Sequence, residues 1–153
     1  MRPLRSSASS LVGALLLAAC GIVTGPNDPM PFPIDPDAVT DPARMTVEPN
    51  PAAPGDLVVI RFPGGHDRGV LYAIDANFDG RWERRGLLIS DANGGRPQWF
   101  PADSEDLFVD MVGIGGEGPD RVLVPPVFDT GSYRICTANA ADALCVPLEI
   151  VRN

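Results

Sequence analysis

From Met45 onward, short apolar runs alternate with stretches rich in Gly, Pro, Asn and Asp, and this pattern restricts the fold more than any other feature. In the run 57–62, for example, Val58, Ile60 and Phe62 share one face of a strand. Similar runs occupy 45–48, 70–75, 82–90, 98–100, 107–114, 121–124, 133–138 and 144–151. No apolar stripe of helical period continues for about ten residues. With 17 Pro and 16 Gly, the pattern predicts a single all-β domain at 45–153, an antiparallel β-sandwich of about seven strands.

Residues 1–19 have the features of a signal peptide. Arg2 and Arg5 supply positive charge, and an uninterrupted apolar run follows at 11–18. This run is far shorter than the roughly 20 residues that a membrane-spanning helix requires. It matches the apolar core of a signal peptide, so we expect the mature protein to be exported.

The apolar run ends in Leu17-Ala18-Ala19-Cys20, which resembles the lipobox of bacterial prolipoproteins. The resemblance implies that Cys20 accepts a diacylglycerol and, after cleavage, becomes the first residue of the mature chain. Two or three acyl chains then hold the protein to the bacterial cell membrane or outer membrane. An ordinary secretory signal with an incidental Cys is the alternative.

The segment 20–44 combines the lipidated Cys with six Pro and four Asp. Proline removes backbone donors and like charges extend a chain, so the composition predicts a disordered linker. Fully extended, it would hold the domain up to about 75 Å from the membrane. A Pro-rich docking peptide is the alternative, but no PxxP core here has basic flanks.

The charge balance argues against nucleic acid as a partner. The chain has 20 acidic and 12 basic residues, all 12 of them Arg, for a net charge of −8. Two of the arginines leave with the signal peptide, which makes the mature chain more acidic still. Such a surface repels phosphate groups and anionic lipid headgroups.

The segment Asp129-Thr130-Gly131-Ser132-Tyr133 resembles the D-x-G-x-Y sequence that enters strand F of immunoglobulin-like domains. In that family the tyrosine hydroxyl bonds back to the upstream backbone, an arrangement called the tyrosine corner. The strand at 45–48, followed by a Pro-rich turn and the strand at 57–62, also fits bacterial members of the family. The resemblance implies an immunoglobulin-like sandwich and implies no ligand.

The cysteines depart from the family pattern. The family Cys follows the tyrosine by two residues, where this chain has Ile135, and Cys136 comes one residue later. An offset of one residue turns a side chain to the opposite face of a strand, so the family's inter-sheet disulfide is absent. Cys136 and Cys145 are predicted to share the outer face of one hairpin, and an extracytoplasmic location favours a disulfide between them.

Asp75, Asn77 and Asp79, with Gly80, match the first half of a calcium-binding loop, in which oxygen ligands alternate along the chain. The twelfth position of such a loop needs a bidentate Glu, and here it is Gly86. Asn, Asp and Gly also favour a hairpin turn. We therefore prefer a turn with no metal, and no other cofactor is predicted.

Two further motifs resemble catalytic or cofactor sites. Residues 113–118 fit G-x-G-x-x-G, but Pro119 and a strand-like run follow where a dinucleotide site needs a helix. His66 lies beside Asp67 in a predicted loop, without a G-x-S-x-G nucleophile motif elsewhere. Both segments are interpreted as loops, and no catalytic residue is predicted.

The function predicted from these features is a monomeric, lipid-anchored binding or structural module of the cell envelope, whose partner is an unknown envelope protein or glycan. Trp99 and Phe100 form either a binding patch or a cover for one end of the core. The alternatives are a small carboxylate-based hydrolase of cell-wall polymers, or an inhibitor or accessory subunit of a secreted protein. Carboxylates clustered in a groove would favour the hydrolase, and an aromatic patch would favour binding.

Replacing Cys20 by Ala tests the anchor. We expect the wild-type chain to incorporate a fatty-acid analogue and the Cys20→Ala chain to incorporate none, because the thiol is the acyl acceptor. Metabolic labelling followed by gel fluorescence measures this. Label retained in the variant would rule out the anchor at Cys20.

Overall fold

The computed structural model describes residues 34–35, 38–65, 71–92, 94–104, 119–138 and 143–152. Its strands are β1 (Val39–Thr40), β2 (Thr46–Glu48), β3 (Leu57–Arg61), β4 (Tyr72–Phe78), β5 (Arg81–Ile89), β6 (Gln98–Pro101), β7 (Asp120–Leu123), β8 (Gly131–Thr137) and β9 (Leu144–Ile150). No helix occurs within the described ranges, so the all-β prediction is confirmed. It follows that no described helix is suited to crossing a membrane. The signal segment, Cys20 and the strand predicted at 107–114 lie outside the described residues.

The strands form two sheets. One has the order β1-β9-β8-β4-β5-β6, and the other has the order β2-β3-β7. Neighbouring strands are antiparallel except for β1 and β9. The largest difference from the predicted strands is at β4, which continues past residue 75 because Asn77 and Phe78 pair with β5. The hairpin made by β4 and β5 therefore projects further than the apolar pattern indicated.

The two sheets bury their facing side chains in one apolar core. Ile135 of β8, at the position where the immunoglobulin family has its Cys, is completely buried there. The other large side chains that are fully buried in this core are Met45, Val58, Ile60, Tyr72, Ile74, Leu88, Val122, Val124, Leu148 and Ile150. Each apolar one contributes roughly 1.5–3 kcal/mol relative to an exposed position. The alternation in the sequence thus identified the inward face of these strands.

One polar contact crosses the core. The hydroxyl of Tyr72 in β4 donates a hydrogen bond of 2.5 Å to Oδ2 of Asp120 in β7, and both side chains are buried. Burial strongly raises the pKa of Tyr72, and the hydrogen bond to Asp120 and its negative charge raise it further. The hydroxyl therefore remains a donor at pH values at which an exposed tyrosine ionises.

The segment predicted as a linker joins the larger sheet before it ends. Val39 and Thr40 form β1, which pairs in parallel with the first residues of β9, and the Val39 amide donates to the Ala143 carbonyl at 3.2 Å. Both residues are β-branched and retain their N–H groups between Pro36 and Pro42, so this dipeptide suits a strand. The boundary of the folded part is therefore earlier than residue 45.

The other end of β9 is covered by the turn that precedes β3. Ala52 donates to the Glu149 carbonyl and accepts from the Val151 amide, both at 2.9 Å. The side chain of Asn50 donates to the Pro147 carbonyl and accepts from the Glu149 amide. Pro147 has no N–H to give, and it lies where proline is tolerated, on this outer edge. The edge of β9 is thus hydrogen-bonded at both ends.

Replacing Tyr72 by Phe tests the contact across the core. At pH 7 we expect the free energy of unfolding to fall by about 1–3 kcal/mol, because Asp120 loses its donor. The raised pKa favours the folded state below pH 10.0, the usual tyrosine value, and this stabilisation is lost as the pH rises above it. Without the Tyr72 hydroxyl, the Tyr72→Phe protein should therefore lose less stability than the wild type as the pH rises above 10.0.

Urea unfolding at pH 7 and between pH 10 and 12 measures both effects. Tyr133→Phe serves as the comparison, because its hydroxyl donates to a backbone carbonyl and not to a buried carboxylate. We expect it to change both measurements less than Tyr72→Phe does, although the pKa of Tyr133 is also raised. A Tyr72→Phe protein with wild-type stability and an unchanged alkaline profile would contradict the assignment.

Candidate functional site

A groove of about 130 Å³ opens at one end of the sandwich, between the β4–β5 hairpin and the segment that joins β7 to β8. Its apolar lining includes the side chains of Phe78, Val127, Phe128 and Tyr133. An apolar cavity of about 150 Å³ accepts a benzene molecule. The groove therefore has room for one side chain of leucine or phenylalanine size.

Two of the groove residues expose large apolar side chains. Phe78 is 46% exposed and Val127 is 65% exposed, although most residues of this size are buried in the described part of the chain. Phe78 is at the end of β4, on the same face as the core residue Ile74, but beyond the reach of the smaller sheet. An exposed apolar surface in a concave position is the usual character of a binding site.

Stacked aromatic rings support the wall of the groove. The hydroxyl of Tyr133 donates to the Asp129 carbonyl at 3.0 Å, which is the hydrogen bond that the D-x-G-x-Y segment implied. Phe128 stacks on Tyr133 with ring centroids 5.1 Å apart, and Trp99 meets Phe128 edge-on at 5.5 Å. The loop is thereby held to β8, and the groove is largely preformed.

Gly86 allows Trp99 to take this position. A Cβ at residue 86 would lie 2.2 Å from the Phe100 carbonyl oxygen and 2.4 Å from Trp99 Nε1, so no other residue fits without a shift. Trp99 packs against the main core, and Phe100 packs against a second cluster formed by Leu71, Ala73 and Leu87. Trp99 thus fits the interpretation as a core cover, while Phe100 lies against a different cluster, so the two side chains do not form one patch.

A β-bulge places Arg85 at the groove. Ile74 pairs with Gly86 and Asp75 pairs with Arg84, so Arg85 is an extra residue in β5. Its guanidinium carbon lies 5.9 Å from the ring centroid of Phe78 and 6.0 Å from that of Phe128. None of the salt bridges within the described residues involves Arg85. The groove thus combines an apolar lining with a cation near two aromatic rings.

Asp129 is the one carboxyl group among the described lining residues, and Arg152 forms an ion pair with it at 3.0 Å. Burial raises the pKa of Tyr133, while the charge of Arg85 lowers it and that of Asp129 raises it, for a net increase. The Tyr133 hydroxyl therefore stays protonated and continues to donate to the loop. The remaining charge at the groove is that of Arg85.

A buried ion cluster occupies the outer face of the larger sheet. The carboxylate of Asp75 is inaccessible to solvent and pairs with Arg84 and with Arg134, whose Nε lies 3.0 Å from Oδ2. The Arg134 guanidinium also lies 4.6 Å from the Trp82 ring centroid and donates to the Asp35 carbonyl at 3.0 Å. This cluster joins β4, β5 and β8 and ties the segment before β1 to the sheet.

The candidate calcium residues do not converge. Both oxygens of Asp75 face arginines, while the Asn77 Oδ1 accepts a hydrogen bond of 2.8 Å from the Gly80 amide. Asp79 and Gly80 have φ values of 52° and 86°, as in a two-residue hairpin turn. No group of three or more His, Cys, Asp or Glu side chains with metal-binding geometry occurs in the described part. The absence of a strong calcium site remains a prediction.

Cys136 and Cys145 are joined by a disulfide, with Cα atoms 4.1 Å apart, and they are direct cross-strand partners in β8 and β9. Both lie on the face opposite the core, as predicted, but they are buried rather than exposed. Thr40 of β1 extends the sheet beside Cys145, and the Cys136 sulfur lies 3.8 Å from an oxygen of Asp75. That contact is not a hydrogen bond, because a disulfide sulfur has no proton.

Several predicted features lie outside the described residues: Cys20, His66 with Asp67, and the glycine-rich segment 113–118. The apolar pattern of the sequence did not identify Phe78, Arg85 or Val127 as site residues. The sequence does contain a signal for two of them, namely a large apolar residue beside a turn. Phe78 directly precedes a turn sequence, and Val127 lies between prolines and the D-x-G-x-Y segment. Apolar residues in such turn-rich stretches have no place in the strand pattern.

No protein-family profile and no curated protein sequence matches this chain.

Calcium titration tests the interpretation of the β4–β5 turn. We expect micromolar calcium to leave the melting temperature unchanged, because Asp75 is already neutralised by two arginines. Differential scanning fluorimetry with added calcium, or with chelator as the control, measures this. A rise in melting temperature that Asp79→Ala abolishes would show that the turn binds calcium.

Proposed function

We propose that this chain is a lipid-anchored, immunoglobulin-like module of the bacterial cell envelope that binds a partner through the groove at the end of its sandwich. The signal segment with Cys20 supports the location and the anchor. The partner is an envelope protein, and the module is monomeric and works by binding rather than by catalysis.

The strand arrangement supports the immunoglobulin-like assignment. The order β9-β8-β4-β5-β6 corresponds to G-F-C-C′-C″ of the variable-type domain, and β2-β3-β7 corresponds to A-B-E. The tyrosine-corner hydrogen bond lies at the start of the strand that corresponds to F. The cross-strand disulfide between Cys136 and Cys145 takes the place of the family's inter-sheet bridge.

The composition of the groove is the observation that carries the proposal of binding. Glycoside hydrolysis by the usual route requires two carboxyl groups roughly 5–10 Å apart across the substrate. The described lining contains Asp129 alone, already paired with Arg152, beside aromatic and aliphatic side chains. Such a surface suits the burial of an apolar group from a partner, which is the main source of affinity in protein interfaces.

The described part of the linker does not contribute to the groove. Its described residues, 34–35 and 38–44, contribute nothing to the described groove lining. They lie instead beside β9 and over Arg134 on the outer face of the larger sheet. These described linker residues are therefore attached to the sheet and not to the groove.

Affinity capture with groove variants tests the proposal. The mature domain is immobilised and incubated with detergent extract of cell envelopes, and the retained proteins are quantified by mass spectrometry. Phe78→Ala and Val127→Ala should reduce the recovery of the same partner by about 30-fold or more, as expected for a central apolar contact.

The matched control is Leu57→Ala, because Leu57 is 49% exposed but belongs to the smaller sheet. Hydrolase assays on wall glycans and peptides run in parallel. Recovery that is equal for wild type and both groove variants would exclude the groove. Turnover abolished by a single Asp or Glu substitution in a folded protein would favour the hydrolase instead.

A further inference from the structure

We propose that the groove captures the C-terminal residue of a polypeptide partner, with its apolar side chain against Phe78 and Val127 and its carboxylate on Arg85. This inference rests on the proposed function, since it names the ligand class of the same site. Three properties of the groove lead to it: its size, a cation without an ion-pair partner among the described residues, and the short distance between that cation and the apolar lining.

The size of the groove matches that of one apolar side chain. A volume of about 130 Å³ is close to that of a cavity that holds one benzene molecule. Phe78 and Val127 form exposed apolar surface, and Phe128 and Tyr133 form the buried part of the lining. Seating one leucyl or phenyl group there removes apolar surface of both partners from water.

Arg85 supplies the charge that selects a carboxylate. The chain carries an excess of acidic residues, yet Arg85 has no ion-pair partner among the described residues, and Asp129 is occupied by Arg152. At physiological ionic strength the repulsion from distant acidic groups is screened beyond about 8 Å. With Asp129 paired to Arg152, Arg85 is the cation of the lining that is left to bind a carboxylate, and two of its guanidinium N–H groups can donate to it at once.

The contacts of Arg85 with the two rings reduce the cost of binding. Its guanidinium lies about 6 Å from the ring centroids of Phe78 and Phe128. A guanidinium that already contacts aromatic rings loses less side-chain entropy when a ligand arrives than one without such contacts does. The cation is thus preorganised at the mouth of the apolar groove.

The close spacing of these features favours a chain terminus over an internal acidic residue. A C-terminal residue carries its carboxylate and its side chain on the same Cα, so a single residue satisfies both features. An internal Asp or Glu uses its own side chain for the charge and requires a second residue for the apolar contact. The groove volume of about 130 Å³ matches one such side chain, and C-terminal carboxylate capture is a known mode of peptide recognition.

Titration of the labelled domain with small probes tests this inference. The probes are N-acetyl-leucine, its neutral isostere N-acetyl-leucinamide, and the peptide N-acetyl-leucyl-glutamyl-leucinamide, which has an internal acid and no free terminus. Amide and Arg85 Nε shifts in NMR spectra report binding. We expect N-acetyl-leucine to shift Phe78, Val127 and Arg85 signals saturably, and the other two probes to bind at least tenfold more weakly.

Arg85→Gln should reduce the affinity for N-acetyl-leucine to that for N-acetyl-leucinamide. The weak affinity for N-acetyl-leucinamide should be the same in the variant and in the wild type. The matched control is Arg81→Gln, because Arg81 is on the same strand but is paired with Glu83. The inference would be overturned if N-acetyl-leucinamide or the internal acidic peptide bound as tightly as N-acetyl-leucine. It would also be overturned if N-acetyl-leucine shifted none of the groove signals. In each of these cases, loss of partner recovery in Phe78→Ala and Val127→Ala would still support the groove as a binding site. The two proposals can therefore fail separately.

Discussion

The carboxylate of Asp75 lies buried between the guanidinium groups of Arg84 and Arg134, and the outer face of the larger sheet is arranged around it. A charge in this position is tolerated only when it is paired, and removal of one partner from such a cluster typically costs about 3–5 kcal/mol. Three adjacent strands each supply one member, so the cluster favours a single register of β4 against β5 and β8. Through Arg134 it also holds the Asp35 carbonyl and hence the end of the linker.

The β-bulge in β5 connects this cluster to the groove. Without the extra residue, the pairing of Asp75 with Arg84 and of Ile74 with Gly86 could not both occur. The bulge therefore puts Arg84 on the outer face, where it neutralises Asp75, and leaves Arg85 toward Phe78 and Phe128. Two consecutive arginines acquire different environments, one structural and buried, the other exposed and without an ion-pair partner among the described residues. Bulges often aim a side chain at a functional site in this way.

The periodic features of the sequence predicted much of the fold. Alternation in the runs 57–62 and 144–151 identified the core face of β3 and β9, because side chains on a strand point to opposite faces in turn. The same rule, applied to the one-residue offset between Ile135 and Cys136, predicted both a buried isoleucine and the bond between the two cysteines. The linker was predicted less well, since two β-branched residues between prolines are too short a run to indicate a strand.

The sequence by itself determined the all-β class, the inward face of strands such as β3 and β9, the hydrogen bond from Tyr133 to the Asp129 carbonyl and the disulfide pairing. These follow from local spacing, which acts through the geometry of one strand or one turn. Only the tertiary structure decided where Arg85, Phe78 and Val127 meet, why the disulfide is buried and which charges neutralise Asp75. Each of these depends on residues far apart in the chain, whose approach is set by sheet order, by the bulge and by the packing of one sheet on the other. No periodicity in the sequence encodes such distances.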